Sequence, residues 1–427
     1  MSRKVVVLTV GMGFNADPQA SLYGPLERSM REQPADKIWL FPSRQSLVHA
    51  EHLRTTLADM PIVVAEPLPE SAEEDPNVCY AFFQRLFDAV LADGTRPSQV
   101  ELDYTRGTKT MSAAAMLAAV SRRVERFRYV SGERGENNLV KAGTEQVRVF
   151  SAASISADRE LEAAKQLMAL QRYSAIPTVI ARWQERYPVE LHAATRHLAA
   201  CAEFWDAWDR LEYSEAARRF SGTQDIQDWY TPSGQAGEAI QFLGRSRHLP
   251  VAQLSLPTWA LVFDLLENSR RRLAQAQFED VLLRAYRSLE LMGQAELYRY
   301  GFETDGADPE NAEIKAWIAY RRKEGKSIPE IKTGKGYLLS KDLVGSLLKH
   351  LRSPLANDLN NFDKDRVVQA KQRNASLLIH GFVAQVNSER AVELSGMLEV
   401  GLPGIARRGV PDELRWIEAA VRFPKKG

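Results

Sequence analysis

The sequence predicts an α/β N-terminal domain built on a mainly parallel sheet, followed by an all-α connector and a second all-α domain. Three observations carry this. Between Lys4 and about Phe150, short β-branched runs alternate with stretches of helical apolar spacing, the pattern of a sheet covered on both faces. After about Ser156 the strand-like runs stop. The remainder, roughly 270 residues, reads as successive helices punctuated by Pro177, Pro188, Pro232, Pro250, Pro257, Pro309, Pro329 and Pro354.

Taken in order, the expected strands are Val5–Val10, Lys37–Phe41, Ile62–Ala65, Gln99–Tyr104, Phe127–Val130 and Gln146–Val149. Helical spacing marks Ser46–Asp59, Val78–Ala92 and Thr110–Arg123 between them. The helical remainder exceeds one bundle, and the stretch "GRSRHLPVAQLSLP" at 244–257 offers a division. The expected domains are therefore 1–155, 156–250 and 251–427. No internal repeat or low-complexity tract is visible.

Composition sets limits. The 427 residues are 44% hydrophobic and 26% charged, enough to bury a large core. A net charge of +1 supplies no global field for a polyanion, so contact with nucleic acid requires a local patch. The apolar run in "MSRKVVVLTVGMGF" is too short for a signal peptide or a membrane span, which makes the cytoplasm the expected location with no membrane partner. Only Cys79 and Cys201 are present, both in apolar surroundings, so neither a disulfide framework nor a thiolate metal site is expected.

In "LTVGMGFNA", Gly11, Gly13 and Ala16 follow the first strand in a G-x-G-x-x-A pattern. A nicotinamide dinucleotide site also needs an acid at the end of the second strand, and "LFPSRQS" has none. The sharper signal is "LDYTRGTKTMSAAAMLAAV". Here a strand runs through a turn at Gly107 into a helix, which brings Thr108 and Lys109 to free backbone N–H groups and the positive end of a helix dipole. A plain strand–turn–helix with a solvent-facing lysine is the alternative. The loops Gly11–Asn15 and Thr105–Lys109 both follow strands of a parallel sheet and so open on the same edge, where open α/β sheets bind ligands. That convergence favours a phosphate-bearing ligand.

"DYTRGTKTMSAA" resembles the signature loop of CARF domains, the Rossmann-like sensors of cyclic oligoadenylates in type III CRISPR defence. Asp103, Tyr104, Thr105, Gly107, Thr108, Lys109, Met111 and Ser112 match the family pattern, and Arg106 replaces a usual glycine. The resemblance covers about residues 1–155. It implies a cyclic oligoadenylate site that includes Gly11, Gly13, Phe14, Asn15, Thr105, Arg106, Gly107, Thr108 and Lys109, with the ligand as an allosteric activator.

Near the other end lies "KQRNASLLIHGF", Lys371 to Phe382. On a helix, residues seven apart are rotated by about 700°, within roughly 20° of one face, and rise about 10 Å. Arg373 and His380 therefore project side by side, too far apart to grip one phosphate between them. A two-fold dimer with two such pairs across a cleft removes that difficulty. A guanidinium stabilises a phosphorane, and a histidine serves as acid or base for attack by a 2′-hydroxyl, a chemistry that needs no metal. The seven histidines offer no ligand set: His49 and His52 lie three apart without a third partner and read as helix surface. A second spaced pair, Arg186 and His192, is interrupted by Pro188.

"RNASLLIHG" looks like the R-N-x-x-x-x-x-H-G element of HEPN ribonucleases. "FEDVLLRAYRSLELMGQAEL" is similar to an arginine- and tyrosine-bearing helix of the HEPN domains joined to CARF modules. On that helix Arg284, Arg287 and Glu290 stand three apart, as supports of the site, as RNA contacts, or as a structural ion-pair network. From Lys315 to Lys335, seven Lys or Arg and two acids interleave with Trp317 and Tyr320, a candidate phosphate contact with base stacking or else a solvated loop.

Taken together, the resemblances imply a homodimeric, cyclic oligoadenylate-activated endoribonuclease that cleaves single-stranded RNA without a cofactor. Arg373, Asn374 and His380 would be its catalytic residues. Two other functions remain open: a non-catalytic ligand sensor, and an N-terminal domain that itself cleaves the cyclic ligand.

Overall fold

The computed structural model describes residues 4–13, 18–32, 34–72, 74–92, 94–133, 144–187, 192–244, 249–332, 336–364 and 391–424. The chain divides into two units, residues 1–163 with 183–191 and residues 164–182 with 192–427.

The first unit is built on β1 (Val5–Val10), β2 (Lys37–Pro42), β3 (Ile62–Val64), β4 (Val100–Asp103), β5 (Arg126–Ser131) and β6 (Gln146–Ser151), lying where the alternation of the sequence puts them. They form one sheet in the order β3-β2-β1-β4-β5-β6. The first five are parallel, and β6 returns antiparallel along β5 with Phe127 opposite Phe150. β1 is buried at every position, as an inner strand covered on both faces must be.

Four helices cover the sheet: α1 (Gly24–Glu32), α2 (Leu47–Thr56), α3 (Pro76–Leu91) and α4 (Lys109–Ser121). Val6, Leu8 and Val10 pack on one face with Leu22, Leu26, Met30 and Leu53 from the α1 and α2 side. On the other, Val5 and Val7 join Phe83 and Phe87 of α3 and the alanines of α4. The small residues of α4 let it lie close to the sheet. Asp75 caps α3, its carboxylate accepting from Asn77 and Val78, with Pro76 at the first helical position, where it forfeits no hydrogen bond. Helix α1 was absent from the sequence expectation because "GPLERSMRE" opens on Gly-Pro and is rich in charge. Pro25 is tolerated there because it lies in the first turn.

The second unit is mostly helical. Its elements include α7 (His192–Asp209), α8 (Tyr213–Arg219), α9 (Gly234–Gly244), α10 (Ser255–Ala274), α11 (Phe278–Arg299), α12 (Ala312–Lys323), α13 (Lys341–His350) and α14 (Ala356–Lys364). Two further helices, α5 (Ala153–Ala169) and α6 (Ile176–Arg186), run across the division between the units. A short turn joins α10 to α11, with Ala276 at φ 57°. Trp205 and Trp208 stack at 5.6 Å, and the Phe423 ring lies 4.6 and 5.4 Å from them.

One expectation is corrected. The C-terminal part is not all-α: β7 (Asp305–Ala307), β8 (Ile331–Lys332) and β9 (Gly336–Leu338) form a small antiparallel sheet in the order β7-β9-β8. Strands of two or three residues are too short to show a period of two. Gly336 (φ 97°) also approaches the Ala307 carbonyl so closely that a Cβ would stand 2.6 Å from it. Pro177 and Pro257 fall at helix boundaries, as expected where a new helix begins. They sit in the first turns of α6 and α10, where the missing N–H costs nothing.

Candidate functional site

The strand order reverses direction between β1 and β4, so the loops leaving these two strands diverge around a crevice at their carboxyl ends. The fit there is set by glycine. A Cβ on Gly11 would stand 2.9 Å from both Cα and N of Gly107, so the two loops touch backbone to backbone. Gly107 itself adopts φ 144°, which favours glycine, and Gly13 adopts φ 67°.

Beneath the loops, polar groups hold the geometry. Asp103 is buried, and its carboxylate accepts from the Thr105 N–H at 2.8 Å and from the Ser29 hydroxyl. Burial pushes this carboxyl above its ordinary range, against the lowering effect of those hydrogen bonds. The Thr9 hydroxyl donates to the Arg106 carbonyl, and the Thr105 hydroxyl accepts from the Val130 N–H at 2.9 Å. Thr108 caps α4 by accepting from the Met111 N–H at 3.1 Å. Tyr104 stacks on Tyr129 with centroids 5.5 Å apart.

The crevice encloses about 440 Å³ and is lined by Gly11, Gly13, Thr105, Arg106, Gly107 and Thr108 of the expected set. Lys109 lies exposed in the first turn of α4 and is not among the lining residues. Phe14 and Asn15 lie outside the described residues. The structure adds Met12, Ser21, Ser43, Gln45 and Met111. Ser43 is held by Ser46, whose hydroxyl accepts the Ser43 N–H at 2.8 Å and donates to the Val10 carbonyl at 2.6 Å. The S-x-x-S spacing of Ser43 and Ser46 directly after β2 is the sequence signal for this turn. Backbone donors, hydroxyls and a guanidinium, with no acid among the described lining residues, make a cradle for anions.

Other expected features resolve into structure. His49 accepts or donates a 2.7 Å hydrogen bond with the Tyr23 hydroxyl, and His52 lies 4.6 Å from the Tyr23 ring, both on the surface of α2. Cys79 and Cys201 are both buried, and burial pushes the Cys201 thiol up to about 12. Arg186 ends α6 and pairs with Glu125 and Glu160.

In the second unit Arg373, Asn374 and His380 lie outside the described residues. On α11, Arg284 donates to Asn268 Oδ1 at 2.6 Å and pairs with Asp280 at 3.0 Å; Asn268 in turn donates to the Asp209 carbonyl at 2.9 Å. Arg287 is half-exposed and bridges Glu290 at 3.0 Å and Gln294 at 3.2 Å. Glu290 also lines a cavity of about 260 Å³ with Gln294, Lys341 and Asn360. In the basic segment, Trp317 is fully buried and so offers no face for a base. Arg321 is spent on the Ser327 carbonyl and the Ser346 hydroxyl, both at 2.7 Å. Tyr320 stays exposed.

Residues 252–399 match a family model described as the Csm6 HEPN domain. That stretch of the chain is thus similar to a HEPN domain. The chain's fold is that of a solved structure described as Enterococcus italicus Csm6 bound to cyclic hexa-2′-fluoro-hexa-dAMP. The TM-score is 0.60 at 12% identity, covering 98% of this chain and 99% of that one. No curated protein matches the sequence. The CARF–HEPN resemblance read from "DYTRGTKTMSAA" and "RNASLLIHG" therefore meets an independent family match over the C-terminal element and a fold match over nearly the whole chain.

Proposed function

We propose that this protein is a type III CRISPR ancillary endoribonuclease, a cytoplasmic homodimer switched on by a cyclic oligoadenylate. The observation that carries the reading is the family match over residues 252–399, which spans the whole of "RNASLLIHG". The CARF part would take the ligand in the β1/β4 crevice. There the touching backbones of Gly11 and Gly107, the Thr108 cap and the Arg106 side chain suit a phosphodiester ring. That the similar Enterococcus italicus protein was solved with a cyclic hexanucleotide analogue supports this class of ligand.

Cleavage would occur at a composite site of two HEPN domains. The 2′-hydroxyl would attack the adjacent phosphorus as the bond to the 5′-oxygen breaks, leaving a 2′,3′-cyclic phosphate and a 5′-hydroxyl; Arg373 would stabilise the charge on the equatorial oxygens, His380 would assist transfer of the proton from the 2′-hydroxyl to the leaving 5′-oxygen, and Asn374 would orient them. No metal takes part in these steps. Activation is a coupling free energy: the ring must bind the cleavage-competent dimer more tightly than the resting one. Arg284, tied into the Asn268–Asp209 network, would hold the framework of the site. Arg287, half-exposed and paired with Glu290, would contact RNA.

The test is cleavage of a fluorescent single-stranded RNA in chelator with cyclic tri-, tetra- and hexa-adenylate. One ring is expected to activate cleavage, and Arg373→Ala and His380→Ala each to lower it by at least about 100-fold. Absence of cleavage with every ring leaves the sensor-only reading. Consumption of the ring by wild type, lost in a Thr108→Ala/Lys109→Ala double variant, assigns the chemistry to the CARF part.

A further inference from the structure

We propose that a cavity beside Phe423 in the helical unit is an anion site that seats a phosphate group. The cavity is about 390 Å³, lined by Gln171, Glu267, Arg270, Arg271, Arg422 and Phe423. Its central residue is Arg271, whose side chain is only 4% exposed. The guanidinium lies 3.5 Å from the centroid of the Phe423 ring and donates from Nε to Asp209 at 2.8 Å. Nη1 and Nη2 of Arg271 are buried and have no hydrogen-bond partner among the described residues. A buried donor without a partner is costly, and a buried charged one more so. Such a group in a native fold indicates an occupant that supplies the missing acceptors.

A second observation points the same way. Tyr173, 2% exposed, has its ring 5.9 Å from that of Phe423, and its hydroxyl also lacks a partner among the described residues. Unmet hydrogen-bonding capacity therefore gathers around one phenylalanine.

The charges leave an excess of cation. Asp209 is shared by Arg271 and Arg272, two guanidinium groups on one carboxylate. Glu267, the acid on the cavity wall, is held by Arg270, which also donates to the Leu398 carbonyl at 2.7 Å. Arg422 stands 3.8 Å from Glu418, itself gripped by Arg407 at 2.9 Å. Asp264 accepts from Trp208 at 2.9 Å and from Tyr213 at 2.7 Å. What remains on offer is a forked, planar donor fixed by stacking, which matches two oxygens of a phosphate. The volume falls within the range of about 300–1,000 Å³ usual for small-molecule sites, so the phosphate can be free or carried by a nucleotide.

The inference does not depend on ribonuclease activity, and its test uses none. The full chain is titrated calorimetrically with inorganic phosphate, AMP and acetate at constant ionic strength. Saturable phosphate binding is expected, weakened about ten-fold by Arg271→Lys, which keeps the charge and the Asp209 pair but removes the fork. The exposed Arg422→Gln, which leaves the interior untouched, should weaken binding about two- to three-fold. AMP that displaces phosphate identifies a nucleotide source, and phosphate binding without AMP competition identifies the free anion. No saturable binding, acetate binding as tightly as phosphate, or both variants binding like wild type overturns the assignment.

Discussion

Two arginines, one in each unit, are both buried and treated differently. Arg128 on β5 is fully buried and spoken for: Nε meets Glu101 at 2.5 Å and Nη1 the Ser29 carbonyl at 3.0 Å. Arg271 on α10 has its Nε paired and its two terminal nitrogens not. A satisfied buried guanidinium is a strut, since nothing further can be gained by binding to it. An unsatisfied one, fixed by an aromatic ring, is half of an interaction waiting for its acceptor. A similar contrast holds for the crevice: its anion cradle is made from backbone drawn close by glycines, whereas the helical cavity relies on long side chains held by packing.

The largest test of this contrast removes a partner from the completed arginine. Glu101→Ala strands Arg128 in the interior and is expected to cost about 3–5 kcal/mol in urea unfolding. Phosphate should not rescue that loss, because Arg128 lies away from both cavities' linings.

Next is the buried acid near Arg271. Asp264 has its carboxyl raised by burial to about 6, with the Arg271 charge and the Tyr213 and Trp208 hydrogen bonds opposing the rise. The folded state therefore holds this proton more tightly than the unfolded chain. The stability it contributes is present at low pH and is lost as pH rises from roughly 4 to about 6, on the order of 3 kcal/mol. In Asp264→Asn, urea midpoints measured from pH 4 to 7 should no longer show that decline.

A smaller effect is expected in the crevice. Gly11→Ala forces a Cβ to within 2.9 Å of the Gly107 backbone, and should cost about 1–3 kcal/mol and weaken cyclic oligoadenylate binding. Unchanged affinity in a calorimetric titration would break the claim that the touching loops form the cradle. Smallest, Thr108→Ala removes the N-cap of α4 and should lower stability by about 1 kcal/mol, read by thermal unfolding.

Much of the α/β unit could be read directly from the chain. Inner parallel strands must be apolar on both faces, so Val5–Val10 announces itself, and the turn after Tyr104 carries glycine and hydroxyl residues for reasons that act within a few residues. The miss at α1 has a local cause as well: its Pro25 and its charges mimic a loop. Ser21, Ser43 and Gln45 were harder, because they reach the crevice only when β2 and α1 have packed against β1. In the helical unit almost nothing of the Asp209–Asn268–Arg271–Arg284 network was visible. Its members lie on three helices, and Arg284 and Arg287 look alike in sequence although one is tied inward and the other outward.

By itself, then, the sequence determined the alternation of strand and helix, the two glycine-bearing loops on one sheet edge, and the two motifs that carry the resemblance to CARF and HEPN domains. These follow from periodicity and from backbone freedom, which are properties of neighbouring residues. Only the tertiary structure decided which arginines are struts and which are left with donors to spare, and that Trp317 is core rather than a platform for bases. Burial and hydrogen-bond completion depend on groups brought together from distant parts of the chain, and no local pattern encodes them.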